Sequence, residues 1–241
     1  MKARRIFTTL LVAVAAVVGI SAQKAVYLTT EQLPNLIKSL PAPPAFDSPE
    51  FAYDIIRYQW GKQQRKDPER AAIAKGDAIW YSLDSLFHQF AVPFGLEVTP
   101  KGTPEIYKLL ATAIYTIDQM RVAPKAYYKR QRPFERYDEP MLTGEEDALR
   151  GEGSYPSGHA LRGQACALVM AQIAPERADT IFYRAYIYAQ SRVIAGAHWQ
   201  SDVDASRNGA SIGFCALQGC PAFIEQMKKA KEEYRRVRCE M

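Results

Sequence analysis

The chain has 241 residues, 48% of them hydrophobic and 24% charged, with a formal net charge of +5. That length suits one large domain, or at most two small ones, with a sizeable core, and the composition is that of a globular protein rather than a disordered or low-complexity one. Three of the positive charges, Lys2, Arg4 and Arg5, sit in the first five residues. The remainder is close to neutral and gives little reason to expect a nucleic-acid partner.

In chain order, MKARRIFTTLLVAVAAVVGISAQ comes first. Its basic start, apolar run from Leu10 to Ile20 and small residues Ser21 and Ala22 have the layout of a secretory signal peptide. Residues 1–22 are therefore expected to be a signal peptide and 23–241 the working domain, in the periplasm or secreted. The apolar run falls short of the roughly 20 residues that a bilayer span needs, which makes a retained signal anchor the lesser alternative. No second apolar run of that length follows, so no stable membrane span is expected after cleavage.

Beyond this segment the periodicity is helical rather than alternating. Thr29 or Thr30 is expected to cap a short helix to about Leu40, ended by Pro41. Asp47 or Ser48 opens a second helix through FAYDIIRYQWGKQQRK, a third covers Arg70 to Phe90, stopping before Pro93, and a fourth runs from Pro104 to Pro124. From Pro124 to Pro156 the pattern breaks into prolines, glycines and acidic residues. That is long for a loop in a compact domain, and such loops tend to carry function. Helical pattern returns from Ser157 to about Ile173, Pro175 to about Ala195 and His198 to about Leu217. Pro221 then opens a last amphipathic helix, AFIEQMKKAKEEYRRV, with a solvated charged face. Together these segments predict a single all-α domain.

Four cysteines (Cys166, Cys215, Cys220, Cys239) in an exported chain allow up to two disulfides, whose pairing the spacing does not fix. With no CxxC and only three histidines, neither a metal nor another cofactor is expected.

Three stretches carry chemistry. KAYYKRQRP sets Lys125 and, after six intervening residues, Arg132-Pro133; GSYPSGH ends at His159; SRVIAGAHWQSD contains Ser191, Arg192, His198 and Asp202. Each alone has a plain structural reading: a solvated basic loop, a helix start, a satisfied His/Asp pair. Together they supply what a phosphate needs. Lys125 is a compact cation, and Arg132 and Arg192 offer planar forks for phosphate oxygens. Ser157 and Gly158 stand at an expected helix N-terminus, where backbone N–H groups lack intrahelical partners and can face an anion. His198 and Asp202, four apart, would share one helix face, so that the carboxylate accepts from Nδ1–H and leaves Nε2 with its lone pair.

The three blocks, KX6RP, PSGH and SRX5HX3D, occur in this order, and the chain thereby resembles the type 2 phosphatidic acid phosphatase (PAP2) superfamily. That superfamily also holds vanadium-dependent haloperoxidases and bacterial class A non-specific acid phosphatases. GSYPSGH and SRVIAGAHWQSDVDA are most similar to the last group. The resemblance implies a helical bundle of the PAP2/vanadium haloperoxidase type. It also implies a metal-independent acid phosphatase acting on small-molecule phosphomonoesters, with phosphotransfer as a side activity. His198 would be the nucleophile and form a phosphohistidine, His159 the acid and later the base, and Asp202 the group that orients His198. Lys125, Arg132, Ser157, Gly158 and Arg192 would bind the phosphate. A haloperoxidase-like enzyme and a non-catalytic phosphate- or anion-binding protein are the alternatives, and the second would not need two histidines with an orienting aspartate. Ala160, Ala195 and Ala197 stand where relatives commonly carry other residues, which bears on pocket width. Outside the blocks, His88 is expected to pack or cap, Trp199 to pack, Tyr155 to line the substrate mouth, Glu152 to lie near His159, and Ser191 to tie neighbouring groups. The physiological substrate is left open, as is whether the chain forms a homo-oligomer.

Overall fold

The computed structural model describes residues 25–78 and 82–240; the expected signal peptide lies outside the described residues. All regular elements among the described residues are helical. The first is shorter than expected. Pro34 cannot donate a helical hydrogen bond and disfavours helix for Leu33 before it. Hence α1 spans only Leu36–Ser39, capped by Asn35, whose side chain accepts from Ile37 N at 2.9 Å. The second, α2, runs Phe51–Gln64.

The expected third helix is in fact two, α3 (Pro68–Asp77) and α4 (Leu83–Phe94). Each has its own start signal. Asp67 accepts from the amides of Glu69 and Arg70 ahead of α3, and Ser82 and Ser85 form a reciprocal capping box on α4. Pro93 does not stop α4, because it sits in the last turn, where its missing N–H removes a single bond. The fourth segment also divides, into α5 (Pro104–Asp118), a 3-10 turn at Gln119–Arg121, and α6 (Val122–Tyr128). Pro124 lies in the first turn of α6, where the amide would be unpaired in any case. The irregular region that follows carries two short helices, α7 (Pro133–Tyr137) and α8 (Glu146–Leu149).

The C-terminal half supplies the long elements: α9 (Gly158–Ile173), α10 (Ala178–Ala195), α11 (Gln200–Leu217) and α12 (Pro221–Glu240). α9 is apolar on nearly every face and is the central helix, packed against α10, α11 and α5. Its Leu161, Ala165, Cys166, Val169 and Met170 are fully enclosed. Gly163 allows the closest approach to α10, since a Cβ there would stand 2.5 Å from the ring of Tyr188. α12 lies against α5, and its buried Glu233 accepts from Ile106 N at 2.8 Å, so one helix caps the start of another.

All four cysteines are free, Cys166 and Cys220 buried and Cys215 and Cys239 exposed. His88 is neither packed nor a cap; it is exposed and pairs with Glu97 at 3.1 Å. No described helix is long and apolar enough to cross a membrane.

Candidate active site

The first site histidine sits where two helices meet. α10 ends at Gly196, whose left-handed backbone (φ 82°) turns the chain back so that the amides of Ala197 and His198 both bond Arg192 O. His198 therefore lies in the link before α11 and not on a helix, contrary to the sequence expectation. Its contact with Asp202 arises differently. Trp199 is the N-cap of α11, and Asp202, at the third helical position, accepts from Trp199 N at 2.9 Å. The same oxygen, Oδ2, lies 3.3 Å from His198 Nδ1 and accepts a hydrogen bond from the Ser154 hydroxyl. Helix capping and histidine orientation thus use one carboxylate.

Its other oxygen accepts from Arg130 Nη1 at 2.6 Å, and Arg130 Nη2 donates to Asp54 at 2.8 Å. Burial would raise the Asp202 pKa, but Arg130 and the hydrogen bonds from His198 and Ser154 outweigh it and hold the carboxyl well below its ordinary range.

Arg132, 1% exposed, is placed by α7: it is the N-cap residue, and its amide donates to Glu135 at 3.1 Å. Its guanidinium donates to Glu152 O at 3.1 Å and Ala197 O at 3.0 Å, and Nη1 lies 3.0 Å from His198 Nε2. A guanidinium only donates, so Nε2 must present its lone pair and Nδ1 must carry the proton toward Asp202. Burial and the Arg132 charge keep the His198 pKa well below 6.5, and the ring is neutral.

The second histidine, His159, is the second residue of α9. Its ring stacks on Tyr188 (centroids 4.0 Å apart, planes at 14°), and its Nε2 is enclosed with no partner among the described residues. Burial and the charges of Arg192 and Arg162 depress its pKa well below 6.5. Arg192, at the end of α10, donates to Glu145 Oε2 at 2.9 Å, while its Nε is also enclosed without a partner. Lys125, on α6, donates to Gly153 O. Burial, then repulsion from Arg132 and Arg121, brings its pKa down to about 7, and burial and Arg192 bring Arg132 to about 10.

One cavity of about 330 Å³ joins these groups: Lys125, Arg132, Gly158, His159, Arg192 and His198 line it, with Glu145 and Glu152 also on its wall. Asp202 stands behind His198. Ser157 is placed otherwise than expected. Its N–H donates to Asp202 O at 3.2 Å and its hydroxyl accepts from Ala160 N at 3.3 Å, so it caps α9 and its amide does not face the cavity. Tyr155 is buried away from the mouth, donating to Pro41 O at 2.6 Å. Trp199 packs between Phe51 and Tyr58, and Ser191 donates to Asp77 at 2.6 Å.

Arg130, Ser154, Tyr188 and Glu145 are site residues that the motifs did not single out. Tyr188 had a signal, being four residues before Arg192 and so on its face of α10. Arg130 looked like one more cation of a solvated loop.

A fold of helices around one enclosed helix, with two histidines and five cations (Arg121, Lys125, Arg132, Arg162, Arg192) facing one cavity, is that of a phosphate-handling helical bundle. The chain belongs to the PAP2 superfamily, whose profile matches residues 106–227. It is 39% identical over 214 residues to a non-specific acid phosphatase of Providencia stuartii, covering 88% of this chain and 86% of that one. It is also 39% identical to one of Salmonella typhi (80% and 78% covered) and 34% identical to an acid phosphatase of Zymomonas mobilis (83% and 75%).

Proposed function

We propose that this phosphatase hydrolyses small phosphomonoesters through a phosphohistidine on His198. The observation that carries the reading is the meeting of His198 Nε2, oriented by Asp202, with Lys125, Arg132, Arg192 and His159 around one cavity. Phosphoryl transfer asks for charge stabilisation on three non-bridging oxygens, an in-line nucleophile and an acid for the leaving oxygen.

The cations of Lys125, Arg132 and Arg192 surround the phosphoryl oxygens, and the start of α9 at Gly158 adds its dipole. His198 Nε2 attacks phosphorus as the ester P–O bond breaks, and the departing alkoxide takes a proton from His159. Water then gives a proton to His159 and its oxygen attacks phosphorus. The N–P bond breaks and inorganic phosphate leaves. An alcohol that enters in place of water receives the phosphoryl group instead, which is the phosphotransfer side reaction. His159, neutral in the ligand-free protein, takes up the proton it later donates as substrate binds, because burial and the Arg192 charge hold its pKa down and a phosphate dianion beside Arg192 offsets that charge. The unpartnered Nε2 of His159 is the atom set aside for the ester oxygen. The three fixed cations supply the charge that the transition state needs, which supports turnover without a metal.

The test is a trapping experiment with radiolabelled phosphomonoester. Rapid quench into alkali should leave label on His198, in an acid-labile and base-stable form, and His198→Ala should abolish both label and turnover with unchanged circular dichroism. Normal turnover in His198→Ala would remove it as nucleophile. Full activity after exhaustive chelation is expected, and loss restored by an added divalent ion would overturn the metal-free reading.

A further inference from the structure

The two histidines of the cavity are held in different ways. His198 has a carboxylate, Asp202, beside its Nδ1. His159 has no carboxylate partner among the described residues, and its closest neighbour is an aromatic face. The Tyr188 ring lies nearly parallel to it, with centroids 4.0 Å apart and planes at 14°. The tyrosine is itself fixed by three elements. Gly163 of α9 leaves no room for a Cβ beside it, the Phe90 ring of α4 stands 5.9 Å away, and Arg184 Cζ of α10 lies 5.4 Å from its centroid. At 3% exposure in a packed interior, Tyr188 has little freedom to leave the stack.

The cycle asks opposite things of the two rings. His198 attacks as a neutral imidazole, whereas His159 must carry a proton when the ester bond breaks. Burial opposes that proton most, followed by the charges of Arg192 and Arg184 on α10, Arg162 on its own helix and His198 on the link. Lys125 and Arg132 line the same cavity, and its acids lie toward other partners, Glu145 on Arg192 and Glu152 at 3.9 Å from Arg132. Arg184 is paired with Asp77 through two nitrogens. The face of an aromatic ring is negative and attracts a cation within about 6 Å of its centroid, more strongly where water is excluded. The Tyr188 face is therefore a contact that favours the imidazolium over the neutral ring. An aliphatic side chain in its place would keep the burial and supply no such preference.

We propose that Tyr188 is a positioning residue that holds His159 in place and in its protonated, donating form while the leaving oxygen departs. This rests on the reading of His159 as the leaving-group acid. The ring then matters for esters whose alkoxide needs a proton and not for those whose leaving group departs without one. The tyrosine hydroxyl is dispensable, because the face of the ring and not its O–H meets the imidazole.

The experiment measures single-turnover phosphorylation of the enzyme against pH with ethyl phosphate, whose ethoxide needs a proton, and p-nitrophenyl phosphate, whose phenolate does not. Tyr188→Leu should slow ethyl phosphate about tenfold and p-nitrophenyl phosphate no more than about twofold. Because the acid form is lost as pH rises, the fall in the ethyl phosphate rate should move about one pH unit lower. Tyr188→Phe should match the wild-type enzyme in both respects. Equal slowing of the two esters, an unmoved pH limb, or a Tyr188→Phe as impaired as Tyr188→Leu would mark packing alone and overturn the proposal. Should Tyr188→Leu lose its circular dichroism, progressively fluorinated phenylalanines at position 188 keep the shape of the ring while draining its face. The limb should move lower with each added fluorine, and one that stays put would also overturn the proposal. His159→Asn separates the proposal from its premise. If it slows both esters alike, His159 is not the acid and that reading fails; a loss confined to ethyl phosphate there, with none in Tyr188→Leu, overturns the role of the tyrosine alone.

Discussion

Lys125 is the cation of the site most sensitive to pH. Its charge is present below about 7 and is lost as the pH rises through that value. Because kcat/KM reports the free enzyme, it should fall above about pH 7 by up to roughly tenfold per unit. Lys125→Arg should carry the fall to higher pH, and a pH profile of both proteins would check it. Glu145 acts in the opposite sense, since its carboxylate occupies Arg192, and a substrate phosphoryl group has to displace it. Glu145→Gln should lower KM by about 2- to 5-fold, the weight of a partly exposed ion pair, as read by steady-state kinetics. For Asp202→Asn, which cannot enforce the Nδ1–H tautomer, kcat should drop by about a thousandfold or more. The motif spacing made Lys125, Arg132, His159, Arg192, His198 and Asp202 legible from the chain alone. It was silent on Arg130 and Glu145, whose partners lie far off in sequence and are brought near only by folding.

Among the elements, the α9–α10 contact ties packing to chemistry. Gly163 admits the Tyr188 ring, and that ring supports His159. Gly163→Ala would press a methyl group into the tyrosine, at a cost of about 1–3 kcal/mol. It should lower Tm by roughly 2–12 °C and reduce kcat more than KM; calorimetry and kinetics would show both. The long helices α9 to α12 were readable close to their ends from the punctuation around them, the Ser157 cap of α9, the Gly196 stop of α10 and Pro221 at the start of α12. Splits were not. The apolar spacing runs on from α3 into α4, and the Ser82–Ser85 capping box marks the start of the second helix. His198 shows a different limit: a four-residue spacing suits a helix, yet the same pair also meets across a helix start when the aspartate is the cap.

At the scale of the whole molecule, the site draws on α6, α7, α9, the end of α10 and the start of α11, so a ligand bound there braces elements from most of the chain. Vanadate or phosphate at about 100 times its Kd should add about 2.7 kcal/mol of stability, or roughly 5–10 °C in Tm. A melt that ignores both anions would contradict a preformed cavity. The all-α architecture was legible from periodicity and from the ordered motifs. Of the acidic groups on the cavity wall, Glu152 was expected near His159, whereas Glu145 was not legible, because its partner Arg192 lies 47 residues on. The unpaired cysteines allow the opening of this assembly to be timed. Cys215 and Cys239 are at the surface, whereas Cys166 is buried on the central helix and Cys220 is buried against Tyr27. A thiol-reactive dye should therefore label one pair at once and the other only as molecules unfold, so that the slow phase becomes a clock for global breathing with no probe engineered in.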